Sequence, residues 1–234
     1  MNIEAHPDDE TQAHWEAKME RGWREGYGPD EELMDFIEKN REEFGEEILD
    51  IGCGNGRNLV PLAEKGFKMS GVDIAQAGID KTKERLDKQN LDAVLKQGKT
   101  IGLPFEDKSF DSLYTIGTFH HNIWEEIKKS FEEANRVLRD NGFFFFHARS
   151  INDTSRPREA IDDEKEIGFT AKDTSGGKQG VIQHYFTEDE LKMLANDHGF
   201  EIVVPPHEEF RQEPDDPDPE HKRARIYTVF KKVK

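Results

Sequence analysis

Between residues 46 and 148, short apolar runs alternate with longer stretches whose apolar positions recur every three or four residues. A short apolar run between turn formers predicts a strand, and the 3.6-residue period predicts a helix. EILDI, FKMSGVDI, DAVLKQ, SFDSLYTIG and FFFFHA are the predicted strands. RNLVPLAEK, AQAGIDKTKERLDKQN and EEIKKSFEEANRVLRDNG are the predicted helices between them, the last turning Ile127, Phe131, Ala134, Val137 and Leu138 inward and stopping at Asn141–Gly142. Four consecutive phenylalanines leave no polar face, so their strand is expected to be buried on both sides. Upstream, DEELMDFIEKNREEF predicts a helix with Asp30 as its N-cap. Downstream, Thr187 and Glu190 form a capping box that opens TEDELKMLANDHG. FEIVV and ARIYTVFKKV close the chain as strands with no helix between them, which predicts an antiparallel pair. Residues 149–183 read as irregular, and PPHEEFRQEPDDPDPEHKR as a mobile surface loop. Strand–helix alternation predicts an α/β fold with a mostly parallel sheet and helices on both faces.

Composition narrows the setting. The chain has 234 residues and one cysteine, Cys53, so no internal disulfide can form. That, with a polar N-terminus unlike a signal peptide, leads to the expectation of a cytoplasmic protein. No run approaches the roughly 18 apolar residues that cross a bilayer, so no membrane partner is expected. Fifty acids against 33 bases give a net charge of −17. Such a surface repels nucleic acid and anionic lipid, and suits small or cationic substrates or a high-salt medium.

The chemistry concentrates in EEILDIGCGNGRN. Gly52, Gly54 and Gly56 let the backbone turn sharply beyond the first strand, where a ligand of such a sheet lies. A dinucleotide fingerprint needs its third glycine at position 57, and Arg57 stands there. Asp50, beside the turn, suits a cationic group better than a pyrophosphate. Asp73, 21 residues after Gly52 at the end of the second strand, can accept both hydroxyls of a ribose. The pair predicts a ligand with a nucleoside end and a positively charged amino-acid end, without phosphate between them.

ILDIGCGNGRN, GVDIA, GLPFEDKSFDSLYTIGTFHH and RVLRDNGFFFF, in this order, resemble the class I S-adenosylmethionine-dependent methyltransferases over roughly residues 46 to 148. The resemblance implies a Rossmann-like seven-stranded sheet with the last strand antiparallel. It implies that S-adenosylmethionine is the cofactor, with Gly52, Cys53, Gly54 and Asn55 along its methionine moiety and Asp73 and Ile74 at the ribose. It places Thr100 and Ile101 beside the adenine, and Thr115 and Ile116 beside the sulfonium end. Many relatives carry an aspartate four residues before the leucine of LPF, bonding the adenine amine; here Lys99 stands there. A lysine cannot accept that bond, which leaves backbone carbonyls or packing. The implied organisation is an N-terminal lid or helical segment (1–45), a cofactor-binding core (46–148), an acceptor-side insertion (149–183) and the rest of the same domain (184–234).

Around the expected pocket, His120 is the candidate general base, with packing as the alternative. His121, Arg149 and His184 are candidates for touching the acceptor. Arg156 and Arg158 are further cations able to clamp an anionic acceptor, or simply solvated loop charges. Tyr27 suits either a cation–π contact with the sulfonium or anchorage of the N-terminus. His147 reads as a satisfied core histidine. No metal-ligand spacing is present. TIGTFHH replaces the polar-Pro-Pro-aromatic loop of nucleic-acid amino methylases, and GVIQHYFTEDELKMLANDHGFEIV resembles small-molecule methyltransferases. The expected partner is therefore a small-molecule methyl acceptor. A NAD-dependent oxidoreductase and a non-catalytic binding subunit of the same fold are the rival readings.

Overall fold

Phenylalanines 143 to 146 divide between two hydrophobic cores, one on each face of a seven-stranded sheet. The computed structural model describes residues 7–155, 158–161, 168–174, 181–212 and 222–233. Strands β1 (Glu47–Ile51), β2 (Lys68–Asp73), β3 (Ala93–Gln97), β4 (Phe110–Ile116) and β5 (Leu138–Arg149) pair in parallel. β10 (Lys222–Lys232) lies antiparallel between β5 and the outermost strand β9 (Phe200–Gln212). The order is β3-β2-β1-β4-β5-β10-β9, so the direction of winding reverses between β1 and β4. A crevice opens at such a reversal, beyond the strand ends.

The helices are α1 (Pro7–Glu20), α2 (Glu31–Lys39), α3 (Arg41–Phe44), α4 (Leu59–Glu64), α5 (Gln76–Lys88), α6 (Trp124–Val137) and α7 (Glu188–Asp197). Phe144 and Phe146 pack with Ile127 and Phe131 of α6 and Leu191 and Leu194 of α7. Phe143 and Phe145 share the opposite core with Leu33 and Ile37 of α2, Leu59 of α4 and Ile79 of α5. Both faces of β5 are thus covered, as its apolar run requires. Truncating one such phenylalanine to alanine costs roughly 3–5 kcal/mol.

Three expectations change. α6 stops at Val137 rather than at Asn141–Gly142, and β5 begins at once. Phe110 pairs with Leu138 while Ser112 pairs with Phe143, so the residues between bulge out of the ladder. Asn141, at φ +65°, turns this bulge, and a Cβ on Gly142 would stand 2.4 Å from the Asp111 carbonyl. Residues 149–183 are not wholly irregular: β6 (Arg158–Ala160), β7 (Phe169–Asp173) and β8 (Ile182–Tyr185) form a second, antiparallel sheet. Its buried positions include Thr170, Gln183 and His184, which fall on both faces, so no apolar alternation announces it. Finally, β9 runs through Pro205 and Pro206 to Gln212 instead of ending at Val204. β9 is an edge strand, and its ladder with β10 shifts register between Tyr227 and Val229, opposite the prolines. Prolines are tolerated at such an irregularity. The acidic remainder of that link, 213–221, lies outside the described residues.

Candidate active site

The glycine turn is held by the strand ends it joins. The Gly52 and Cys53 amides donate to the Val72 carbonyl at 2.7 and 3.1 Å. Gly52, at φ +84°, has no room for a side chain: a Cβ would meet Thr118 Oγ1 at 2.0 Å. The carboxylate of Asp73 accepts from the Gly54 amide at 2.8 Å and the Ala75 amide at 2.9 Å. These bonds fix its orientation at the end of β2. Burial raises its pKa, and the two amides oppose that shift.

Above the turn lies a cavity of about 340 Å³. Gly52, Cys53, Gly54, Asn55, Asp73 and Ile74 line one side, Thr100 and Ile101 another, and Ile116, His120 and His121 the end beyond β4. The structure therefore brings together most of the residues that sequence reasoning assigned to one ligand. Cys53 is buried, and burial pushes its thiol pKa well up, so it serves as a small wall residue without thiolate character.

Five predicted site residues lie elsewhere. Asp50 shares the sheet face of Ile48, since side chains alternate along β1, and that face turns into the core. Its carboxylate accepts from the Tyr114 hydroxyl at 2.9 Å, and burial lifts its pKa to about 7. It is absent from the cavity wall. Thr115 is fully buried and donates to the Ile51 carbonyl at 3.1 Å; its neighbour Ile116 reaches the wall. Tyr27 is 68% exposed and borders a separate cavity. His184 is buried between Glu190 (2.9 Å), Thr170 (3.0 Å) and the Trp124 ring, beneath the second sheet rather than on the cavity wall. Arg149 is likewise off this wall, paired with Asp153 at 2.8 Å. Arg158 covers the Phe169 and Tyr185 rings, and Arg156 lies outside the described residues. His147 is buried and stacked on Tyr227 at 4.4 Å, but neither ring nitrogen is hydrogen-bonded among the described residues. Burial and the nearby arginines, Arg225 first, hold it neutral.

The expected N-terminal lid named only Tyr27 as a site residue, whereas α1 and the segment after it supply a different set to the wall. Trp15, Met19, Trp23 and Arg24 all face the cavity, and Met19 Cε stands 3.2 Å from a Cβ built on Gly54. The residues of the turn hold this segment: Asn55 donates to the Trp23 carbonyl, Arg57 to the Gly28 carbonyl, and the Asp30 amide to Asn58 Oδ1. Glu16 accepts from the Ala77 amide at 2.9 Å, docking α1 on α5. Trp15 and Trp23 stand in the same segment as Tyr27, and it is these two rings, not the exposed Tyr27, that turn to the cavity. Lys99 lines the cavity as well, and Asn122 donates to Thr100 Oγ1 beside it.

The geometry fits a nucleoside with a charged, phosphate-free tail. A carboxylate fixed by two amides stands at one wall, Ile74 and Ile101 are apolar, and Trp15 and Trp23 add aromatic rings to the lining. Among the described residues no group of side chains has the makings of a metal site, and no helix is long and apolar enough to cross a membrane.

Comparison with known proteins gives the same direction. Residues 48–142 match a family model described as a methyltransferase domain. The chain is 32% identical over 103 residues to 27-O-demethylrifamycin SV methyltransferase of Amycolatopsis mediterranei, covering 42% of this chain but only 36% of that protein. It is 29% identical over 198 residues to EEF1A lysine methyltransferase 2 of Homo sapiens, covering 73% of this chain and 81% of that one. The fold is also that of a Burkholderia thailandensis 1,6-didemethyltoxoflavin-N1-methyltransferase solved with S-adenosylhomocysteine, with a TM-score of 0.71, 15% identity and coverage of 100% and 93%.

Proposed function

We propose that the chain transfers the methyl group of S-adenosylmethionine to a small-molecule acceptor, a reading supported by the match of residues 48–142 to a methyltransferase domain. The observation that carries this reading is the shared cavity wall of Asp73, the glycine turn and Thr100–Ile101, with two histidines at its end. Such a wall suits adenosine at one end and an aminoacyl tail at the other. The rifamycin relative acts on a small molecule, and the toxoflavin neighbour was solved with one bound.

When bound, the cofactor supplies an electrophilic sulfonium methyl open to in-line attack. Asp73 is oriented to accept from the ribose hydroxyls, using lone pairs left over from the Gly54 and Ala75 amides. Arg24 and Arg57, both on the wall, are placed for the tail carboxylate. Trp15, Met19 and Trp23 exclude water from the slot. Alignment and desolvation then account for most of the rate, as one acceptor atom is held against one carbon. His120 lines the cavity's end with its ring 4.2 Å from that of His121. It is assigned the acceptor's proton, a role an imidazole performs near neutral pH.

Calorimetry with S-adenosylhomocysteine tests the reading. The wild type is expected to bind it and to ignore NADH. Asp73→Ala, losing two bonds worth about 1.5–3 kcal/mol each when charged, is expected to weaken binding by at least roughly a hundredfold. Binding of NADH alone would restore the oxidoreductase alternative. Transfer of labelled methyl to no member of a metabolite pool, with cofactor binding intact, would favour the non-catalytic one.

A further inference from the structure

Thr100 lines the cavity shortly beyond Gln97, the β3 residue that pairs with Asp73. The Gly98 amide donates to the Asp73 carbonyl at 2.9 Å, so the loop carrying Thr100 is tied to the strand end that carries the Asp73 carboxylate. A nucleoside whose ribose meets Asp73 therefore has its base beside this loop. Two side chains from another part of the chain reach Thr100 there. Ser130 Oγ, on α6 and fully buried, stands 2.7 Å from Thr100 Oγ1, and Asn122 Nδ2, in the turn before α6, donates to the same oxygen at 3.3 Å.

The number of protons fixes the direction of these bonds. A hydroxyl has one hydrogen to donate and two lone pairs to accept with. Ser130 Oγ also lies 2.8 Å from the Glu126 carbonyl, one turn earlier in α6. That carbonyl can only accept, so the Ser130 proton is spent on it, and the proton between Ser130 and Thr100 comes from Thr100. The opposite direction would set Ser130 Oγ against the Glu126 carbonyl at 2.8 Å with no hydrogen between them. Asn122 is oriented in the same way. Its Nδ2 donates to the Phe119 carbonyl at 3.2 Å, where a flipped amide would place oxygen against oxygen. With its proton given to Ser130 and one lone pair taken by Asn122, Thr100 Oγ1 keeps one lone pair and no hydrogen for the cavity.

We infer that Thr100 Oγ1 accepts from the exocyclic amine of the cofactor's adenine, and that Ser130 is the positioning residue that holds this hydroxyl in its accepting direction. This rests on the methyl-transfer reading above and names the group that selects the base of its cofactor. The ammonium of Lys99, next in the chain, has no lone pair to offer that amine. The carboxylate of Glu126, also on the wall, accepts from the Ile123 amide at 3.4 Å at the start of α6. An oxygen that can only accept discriminates sharply. It pairs with an amine, it is left unpaired by a base without one, and it faces a second acceptor when a carbonyl stands in the amine's place.

The test titrates the whole chain in a calorimeter with S-adenosylhomocysteine, with its purine counterpart lacking the exocyclic amine, and with its hypoxanthine counterpart carrying a carbonyl instead. The wild type is expected to bind the adenine form roughly three- to tenfold more tightly than the purine form, and at least about tenfold more tightly than the hypoxanthine form. Thr100→Val, which keeps the branched shape, is expected to bring the adenine form down to the purine form, whose own affinity stays within about twofold of wild type. Thr100→Ser keeps the oxygen and is expected to retain the preference. Ser130→Ala removes the acceptor of the Thr100 proton, which then turns to the cavity. The adenine preference is expected to shrink, and the hypoxanthine form to bind more tightly than it does to the wild type, a gain that lost packing would not produce. Equal binding of the adenine and purine forms by the wild type, or an adenine preference retained in Thr100→Val, would overturn the inference. Failure of all three forms to bind the wild type would overturn the methyl-transfer reading, and this inference with it.

Discussion

Two buried aspartates, Asp50 in β1 and Asp153 just after β5, have pKa values that move in opposite directions. Asp50 lies in the strand under the glycine turn, where burial raises its carboxyl to about 7 and only the Tyr114 hydroxyl and a distant Arg57 oppose this. Asp153 lies against Arg149 and Arg225. Burial pushes it up too, but Arg149, Arg225 and the amide and hydroxyl of Ser155 together outweigh burial and hold it below its ordinary value. The same side chain, almost equally inaccessible, is a poor ion in one place and an obligatory one in the other. The difference teaches that burial alone does not set charge state; the sign and number of neighbours do.

The comparison can be broken most sharply at Asp153. Asp153→Ala leaves two buried guanidiniums without their carboxylate, and is expected to destabilise by roughly 3–5 kcal/mol at pH 7. Because the folded pKa is depressed, this stabilisation is present above the unfolded carboxyl value and is lost as pH falls through the folded one. Chemical denaturation of variant and wild type should therefore converge on acidification. A constant gap down to pH 3 would mean the pair contributes packing rather than charge.

The next largest effect is expected at the glycine turn that follows Asp50. Gly52→Val places a branched side chain at φ +84° and against Thr118 Oγ1, and is expected to cost roughly 3 kcal/mol and to abolish detectable binding of S-adenosylhomocysteine. Near-wild-type melting and calorimetry would show that the turn is softer than its contacts suggest.

Asp50→Asn sharpens the contrast with the smallest change of structure. The amide keeps an acceptor for the Tyr114 hydroxyl but cannot ionise. Asp50 has a raised folded pKa, so the wild type loses stability as pH rises from the unfolded carboxyl value towards about 7, and no further above it. The variant is expected to gain on the wild type across that window, by up to about 1.4 kcal/mol per pH interval of one. A difference flat from pH 4 to pH 8 would place the Asp50 carboxyl in its ordinary range.

Much of this molecule was legible from residue order alone. The β1–β5 alternation, the two-sided burial of Phe143–Phe146, the capping box at Thr187 and the turn from Gly52 to Gly56 all arise from residues close in the chain, and local periodicity reports local structure. The Asp73 carboxylate was legible for the same reason, as the last residue of a predictable strand.

The inward face chosen by Asp50, the rings of α1 that cover the turn, the strands of 158–185 and the meeting of Thr100 with Asn122 and Ser130 were decided by tertiary structure alone. Each depends on which distant segments meet. An aspartate's partner across a sheet and a hydroxyl's neighbours on another element are set by packing between elements, and pattern along a chain carries no distance between them.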